Sequence, residues 1–456
     1  MSNNGPSMED IVSLSKRRGF VFQSSEIYGG LSGFYDYGPL GVELSNNLKH
    51  LWWDAVTHQR DDVFGVDGAI IQNPLLWQAS GHVAGFNDPM VEDIVTHKRY
   101  RADQLAGVDS TDLTELAELL KDKKSPDGNP LSQPKSFNMM MQTWVGPVED
   151  DAAKVYLRPE TAGSIFTNYL NVKDTMRVKL PFGIAQIGKA FRNEISPRDF
   201  IFRVRELEQM EMQYFINPKD QDDAYASWRD FAWKFLVETL GLKESNLSWH
   251  EHGEHERAHY AKAAHDIYFK FPQGPKELWG THNRGDFDLS NHAKASGKDL
   301  SHLDESGERF TPNVIESSVG LGRMLLAVMC DAFERDKIGD EQRIVMRFNP
   351  KLAPVKAAVS PLLKNKPELV ELARKIYEQL KAEFGMVLWD DNGNIGKRYR
   401  RQDEIGTPYC ITIDFESLDN RSVTLRERDT AEQTRIAADE LVGVIKKKIN
   451  DNAKGK

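Results

Sequence analysis

Only two cysteines occur in 456 residues, Cys330 and Cys410, far apart and inside apolar runs. That excludes a disulfide framework and a cysteine-built zinc knuckle, and leaves two small core side chains. No apolar run approaches the length that spans a bilayer, so no membrane partner is expected. The opening Met1-Ser-Asn-Asn-Gly-Pro-Ser-Met-Glu-Asp10 has neither a cationic-then-apolar leader nor an Arg-rich, acid-poor one, and the expected location is the cytoplasm. Positive charge is in deficit: 59 Lys and Arg against 69 Asp and Glu leave a formal charge of −10, which argues against indiscriminate coating of DNA. Local basic patches on an acidic surface still suit RNA. Internal repeats and long low-complexity tracts are missing as well.

What the chain does have is enough apolar material, 40% of residues, to fill the cores of two or more domains. Its most informative stretch is Phe191–Phe215. Alternating runs flank a turn-like patch at Ile195–Phe200 that contains Pro197 and Asp199, the pattern of a long-looped antiparallel hairpin. Side chains two apart on a strand share a face. Arg192 is then expected beside Glu194 on the first strand, with Leu207, Gln209 and Glu211 together on the second. Such a floor offers cations to a polyphosphate and carboxylates to an ammonium group. The bland alternative is a solvated hairpin whose charges pair across strands.

Phe-Arg-Asn-Glu, a loop, then Arg-Glu-Leu-Glu-Gln-Met-Glu resembles the second motif of the class II aminoacyl-tRNA synthetases, and the ending is similar to that of glycyl enzymes. Two further segments carry the resemblance. Pro39 opens an amphipathic helix (Leu40, Leu44, Leu48, Leu51, Ala55) before a strand near Val63–Gln72 and Pro74, similar to the family's first motif, which forms a dimer interface. Thr311-Pro-Asn-Val-Ile-Glu-Ser-Ser-Val-Gly-Leu-Gly-Arg323 resembles the third: a strand, a glycine turn where Gly320 and Gly322 permit close backbone approach, and a helix with Arg323 at its positive end.

The resemblance implies an α+β protein, with a class II antiparallel-sheet catalytic domain over residues 1–350, a segment inserted at about 103–150, and an α/β anticodon-binding domain with a mixed sheet over 351–456. It implies ATP held by Arg192, Asn193, Glu194, Phe202, Arg203, Val204, Arg205, Glu206, Leu207, Glu277, Leu278, Gly320, Leu321, Gly322 and Arg323, with Arg192 and Arg323 catalytic and Mg2+ on Glu277. It implies glycine held by Arg101, Glu160, Leu207, Glu208, Gln209, Met210, Glu211, Glu316, Ser317, Ser318, Val319 and Gly320. Glu160 comes from Tyr156-Leu-Arg-Pro-Glu-Thr161, ahead of a helix over Thr161–Leu170. The family commonly has an aromatic at the place of Leu207, to stack on adenine. The implied partners are glycine, ATP, tRNA(Gly) and a second copy of the chain in a homodimer.

Three other stretches complete the reading. The insertion carries an acidic helix, Asp112–Lys123, and a loop or linker at Ser125–Pro130. In the C-terminal part, Gly396–Pro408 mixes a basic cluster with an aromatic, and the resemblance points to Lys397, Arg398, Arg400 and Arg401 as tRNA contacts. A helix is expected over Ala431–Ile449. His255-Glu-Arg-Ala-His259 fits the zinc-peptidase pattern, with His250, His252, His265 and Glu277 as further ligands. It lies between strand-like segments of a chain whose other chemistry is better specified, and zinc is not expected. A synthetase-derived binding module without catalysis is the other alternative, and such modules tend to lose the phosphate-binding arginines that are present here.

Overall fold

The computed structural model describes residues 5–108, 110–253 and 262–451. Its centre is a seven-stranded sheet in the order Leu247–Glu251, Ala263–Phe271, Gly274–Gly285, Asn313–Gly320, Glu206–Ile216, Phe182–Phe191 and Val63–Gly65. Every neighbouring pair is antiparallel except the last, where Val63–Gly65 runs parallel to Phe182–Phe191. The interior strand Glu206–Ile216 is half-buried over its first four residues and fully buried from Met210 onward. Charge is therefore concentrated at the end of the sheet that meets the cleft, and apolar side chains at the other.

The helix Leu321–Ala332 lies under this sheet. All its residues are buried except Gly322 and Arg323, and it packs on both the Glu206–Ile216 strand and the Pro39–Trp53 helix. Pro39 occupies the first turn of the latter helix, where a missing N–H costs nothing, and Leu40, Leu44, Leu48 and Trp52 form its buried stripe.

Several local expectations need correction. The strand near residue 63 ends at Gly65, and Pro74 opens a short helix. The first strand of the central hairpin ends at Phe191, so Arg192 and Glu194 belong to the loop from 192 to 205 and not to a strand. The helix after Glu160 breaks at Asn168 into Ala162–Thr167 and Tyr169–Met176. The segment expected as an insertion packs with residues before 103: Asn87–Glu92 pairs with Arg99–Arg101 and with Lys135–Asn138, and the helix Leu113–Leu120 packs Leu116 and Leu120 with Val91 and Ala102. The Ser125–Pro130 stretch is no slack linker, because Ser125 is buried and both it and Asn129 donate to the buried Asp93 carboxylate.

Beyond Phe348 a second core forms around a five-stranded mixed sheet, ordered Val387–Trp389, Ala357–Pro361, Tyr409–Ile413, Ser422–Glu427 and Gln433–Ala437. The last strand occupies the start of the expected Ala431–Ile449 helix, which begins only at Leu441. Its pairing with Ser422–Glu427 satisfies backbone groups that helical periodicity alone does not reveal.

The basic cluster is a helix, Ile395–Ile405, capped by Asn394 and stopped by Gly406 at φ 80°. Arg398 points inward, 3% exposed, and donates to the carbonyls of Gly393, Pro361 and Asp391. The expected RNA contact at Arg398 is thus overturned: its donors are spent on the fold. The same helix joins the two cores, since fully buried Asp403 accepts from Arg343 at 2.8 Å and from Arg426 at 2.8 and 3.0 Å. No helix among the described residues is long and apolar enough to cross a membrane.

Arg398→Ala should lower unfolding stability by about 3 kcal/mol, because it leaves buried carbonyls without donors. Lys397→Ala, on the exposed side, should change it by no more than about 0.5 kcal/mol. Denaturant titration of both variants checks this, and equal small effects would contradict the inward placement of Arg398.

Candidate active site

The loop from 192 to 205 returns over the end of the sheet and is pinned at both ends. Arg192 N donates to the Arg205 carbonyl at 2.9 Å, and the Arg205 guanidinium donates to the carbonyls of Glu194 and Ser32, each at 3.0 Å. Between loop and sheet lies a cleft of about 240 Å³. Arg192 reaches it with Nε donating to the Pro159 carbonyl at 3.0 Å and its guanidinium carbon 5.6 Å from the Phe86 ring centre. Arg323 enters from the N-terminus of its helix, with its guanidinium carbon 4.5 Å from the Phe202 ring centre and Nη1 2.9 Å from Glu277 Oε2. Gly322 is needed for this approach, since a Cβ there would stand 2.9 Å from the Ile201 carbonyl oxygen. Gly320 is not: the nearest atom to a Cβ is 3.9 Å away, on Arg323.

Carboxylates converge beside these cations. Glu316, opposite Gln213 across the strand pair, accepts from Arg284 Nη1 at 2.6 Å, from Gln213 Nε2 at 3.1 Å and from Ser318 Oγ at 3.2 Å, with His282 Nδ1 3.2 Å away. Arg284 is itself forked onto Asp288 at 2.7 and 2.9 Å. Burial alone would raise the Glu316 carboxyl, but Arg284 and His282 outweigh it and hold it well below the usual range. Glu160 stands 3.4 Å from His82 Nε2; burial opposes its charge, and His82 and Arg284 keep it low. Glu211, 2% exposed, is bonded to the Thr161 hydroxyl and to Gln213 Nε2 at 2.8 Å. Burial, with Glu316 and Glu160 nearby, pushes its carboxyl up to about 8.

The cleft brings together Arg192, Glu194, Phe202, Arg203, Val204, Glu206, Leu207, Glu208, Gln209, Glu277, Gly320, Gly322 and Arg323 with Glu160, Glu316, Ser318 and Val319. Two of these are buried acceptors with no hydrogen-bond partner among the described residues: Glu194 Oε2 and Gln209 Oε1. They suit a ligand that brings N–H or O–H groups. Glu206 and Glu208 face lysines, Lys189 at 3.1 Å and Lys49 at 3.5 Å.

Other expected residues fall elsewhere. Leu278, Leu321 and Met210 are core side chains, and Ser317 turns away to accept from Trp279 Nε1 at 2.9 Å. Asn193 and Arg205 shape the loop through backbone contacts and do not line the cleft. Arg101 is clamped by Asp88 and Asp103, each at 2.7 Å, outside the cleft lining. Arg400 and Arg401 are at the surface of their helix, paired at 2.7 Å with Glu341 and Asp390.

The His255–His259 pattern lies outside the described residues. Its candidate companions are otherwise engaged: His252 with Asp266 at 2.7 Å, His265 with the Tyr225 hydroxyl at 2.8 Å, and Glu277 with Arg323. Reading the sequence missed Tyr35, Tyr37, Lys189, His282 and Arg284 in the lining and His82 behind Glu160. The run Thr281-His-Asn-Arg284 held a signal for two of them, because residues two apart on a strand place His282 and Arg284 on one face.

Residues 147–331 match the family model described as the tRNA synthetase class II core domain (G, H, P, S and T), and residues 356–448 match that of the anticodon binding domain. The glycine–tRNA ligase of Treponema denticola is 48% identical over 99% of this chain and 99% of the relative. That of Borreliella burgdorferi is 49% identical over 97% of each, and that of Chlorobaculum tepidum is 47% identical over 94% of this chain and 97% of its own. Among solved structures, Giardia lamblia prolyl-tRNA synthetase in complex with prolyl-adenylate shares the fold, with a TM-score of 0.68 at 15% identity over 98% of this chain and 80% of that one. With near-half identity held along almost its whole length, the chain belongs to the glycine–tRNA ligase family of class II synthetases.

Proposed function

We propose that the chain activates glycine with ATP, forming glycyl-adenylate and pyrophosphate, and then transfers the glycyl group to the terminal ribose of tRNA(Gly). The observation that carries this reading is one cleft holding both kinds of fixed charge: the Arg192 and Arg323 guanidiniums and the Glu160 and Glu316 carboxylates. The glycine carboxylate attacks the α-phosphorus, the bond to the leaving pyrophosphate breaks, and no protein side chain needs to act as nucleophile. Arg192, steadied by the Pro159 carbonyl, holds the α-phosphate; Arg323 holds the γ-phosphate. Leu207 and Phe202 give the nucleotide an apolar wall. Glu160, Glu211 and Ser318 fix the ammonium, with Glu316 beside them.

The exposed Glu277 carboxylate is a hard oxygen donor of the kind magnesium takes together with phosphates. When bound, Mg2+ supplies charge neutralisation of the polyphosphate, and Arg323 would then exchange its Glu277 contact for phosphate. Residues 351–456 would bind the anticodon, with Lys397, Arg400 and Arg401 toward the RNA. Two copies would pair through the region of the Pro39–Trp53 helix, which leaves Val42 exposed. The enzyme would work in the cytoplasm, where its tRNA and nucleotide are found. Amino-acid-dependent exchange of pyrophosphate into ATP, run across all the proteinogenic amino acids, tests the assignment; exchange driven by any other amino acid in place of glycine would refute it.

Arg192→Ala and Arg323→Ala should each slow adenylate formation at least a hundredfold, about 3 kcal/mol of transition-state stabilisation. Both side chains are outside the core, so unfolding curves should stay close to the parent. Near-normal exchange in both variants would overturn the assignment of the phosphate contacts.

The raised Glu211 carboxyl gives a pH signature. Below about 8 it is protonated in the empty site, and the glycine ammonium favours its ionised form, so glycine binding releases a proton. The KM for glycine should therefore fall as pH rises from about 6.5 toward 8.5, by at most about tenfold per unit, and Glu211→Gln should flatten that slope. A slope that survives the substitution would assign the proton to another group.

Glycine offers no side chain to grip, so larger amino acids must be excluded by a close wall, and overpacking such a wall costs about 1–3 kcal/mol. Ser318 stands in it, held by Glu316. Ser318→Gly should lower glycine activation yet narrow the ratio of glycine to alanine exchange. An unchanged or larger ratio would remove Ser318 from the wall.

A further inference from the structure

A row of hydrogen-bonded groups crosses the sheet and ends on Glu316. His252 Nε2 is 2.7 Å from Asp266 Oδ2, Asp266 Oδ1 is 3.3 Å from His282 Nε2, and His282 Nδ1 is 3.2 Å from Glu316 Oε1. Strand register builds this row. Asp266 lies on Ala263–Phe271, His282 on the adjacent Gly274–Gly285, and Glu316 directly opposite His282 on Asn313–Gly320. Gly280, the partner of Asp266, makes room for the ring: a Cβ there would come within 3.1 Å of His282 Nε2 and 3.3 Å of Asp266 Oδ1.

We propose that His282, clamped between Asp266 and Glu316 above Gly280, is a positioning residue that aims the Glu316 carboxylate at the amino-acid ammonium. This rests on the reading of Glu316 as an amino-acid contact. Arg284 grips only one oxygen of Glu316, Oε2, and a carboxylate held by one oxygen can still swing about its last bond. His282 stands at the other oxygen, Oε1, together with the weaker Ser318 hydroxyl. With both oxygens engaged, the carboxylate plane is fixed before substrate arrives.

An imidazole whose two nitrogens both face carboxylates is satisfied only when both carry protons. Burial works against that charge, but Asp266 and Glu316 prevail and push His282 up to about 10. The charged groups facing it from neighbouring strands are those two carboxylates, with His252 behind Asp266 and Arg284 two residues along its own strand. Both ring nitrogens are thus occupied by protein groups, and the effect on substrate passes through Glu316.

Pyrophosphate exchange kinetics on the full-length His282→Ala, Gly280→Ala and Glu316→Gln variants and on the Glu316→Gln/His282→Ala double variant test this. His282→Ala should raise the KM for glycine about tenfold while the KM for ATP stays within about twofold, and the double variant should be no worse than Glu316→Gln alone. Gly280→Ala keeps every ionisable group and displaces the ring, so it should raise the glycine KM in the same direction even if His282→Ala folds poorly. A normal glycine KM in His282→Ala or in Gly280→Ala, with a large rise in Glu316→Gln, would overturn the role of His282 and leave the amino-acid site standing. Full additivity in the double variant would equally overturn it. A normal glycine KM in Glu316→Gln would instead refute the reading of the site, and this inference with it.

Discussion

Three neighbouring glutamates, Glu160 and Glu316 in the cleft lining and the buried Glu211 close by, repel one another more strongly than they would in water, and the arrangement of the catalytic half follows from how that repulsion is contained. Glu316 is matched by Arg284 and His282, and Glu160 by His82. Glu211 has a hydroxyl and an amide as its bonded partners and answers by taking up a proton more readily. Gln213 shares its one amide nitrogen between Glu211 and Glu316, which spaces two carboxylates that would otherwise have to separate. These partners come from the sheet and from segments packed on it, so the sheet must be complete before the pocket can exist. On the proposed function, the glycine ammonium would add a further cation to this group.

The proposed phosphate side is built on the opposite principle. Arg192 is bonded to a carbonyl and Arg323 rests on an aromatic ring, so both keep donors available. Among the described residues, the carboxylate paired with Arg323 is the exposed Glu277, whose hold is weakened by water. On the proposed reading, anions of the protein are spent where the ammonium would bind, and cations are left loosely tied where the phosphates would bind.

The parts of the site legible in the sequence are those carried by continuous stretches. Arg192 with Glu194, Glu160 after Arg-Pro, and the run from Glu316 to Arg323 could be found because their neighbours in the chain are also their neighbours in space. His82 was illegible for the converse reason, because it matters through a partner on another element and loop return is not written locally; the shared face of His282 and Arg284 is written in their spacing, but the register that sets Glu316 opposite His282 is not. Arg398 and Arg101 failed differently. The resemblance implied ligand contacts for both, whereas one is consumed by three backbone carbonyls and the other by two aspartates. Composition shows that an arginine is present but not whether its five donors are already taken. The C-terminal sheet was readable except for its edge strand Gln433–Ala437, whose polar sequence has no apolar alternation to mark it.

The buried Arg343–Asp403–Arg426 cluster changes how the two halves of the chain relate. A domain that only tethers RNA could hang from a flexible linker, yet here one half supplies Arg343 and the other Asp403, and both are buried. Parting them would break a buried ion pair that crosses between the halves, while each side keeps its own partner, Arg343 with Asp336 and Asp403 with Arg426. The pair behaves as a strut. It sets a fixed span between the Ile395–Ile405 helix and the cleft, so a chain cut near residue 351 would lose part of the first half's own foundation along with the second core.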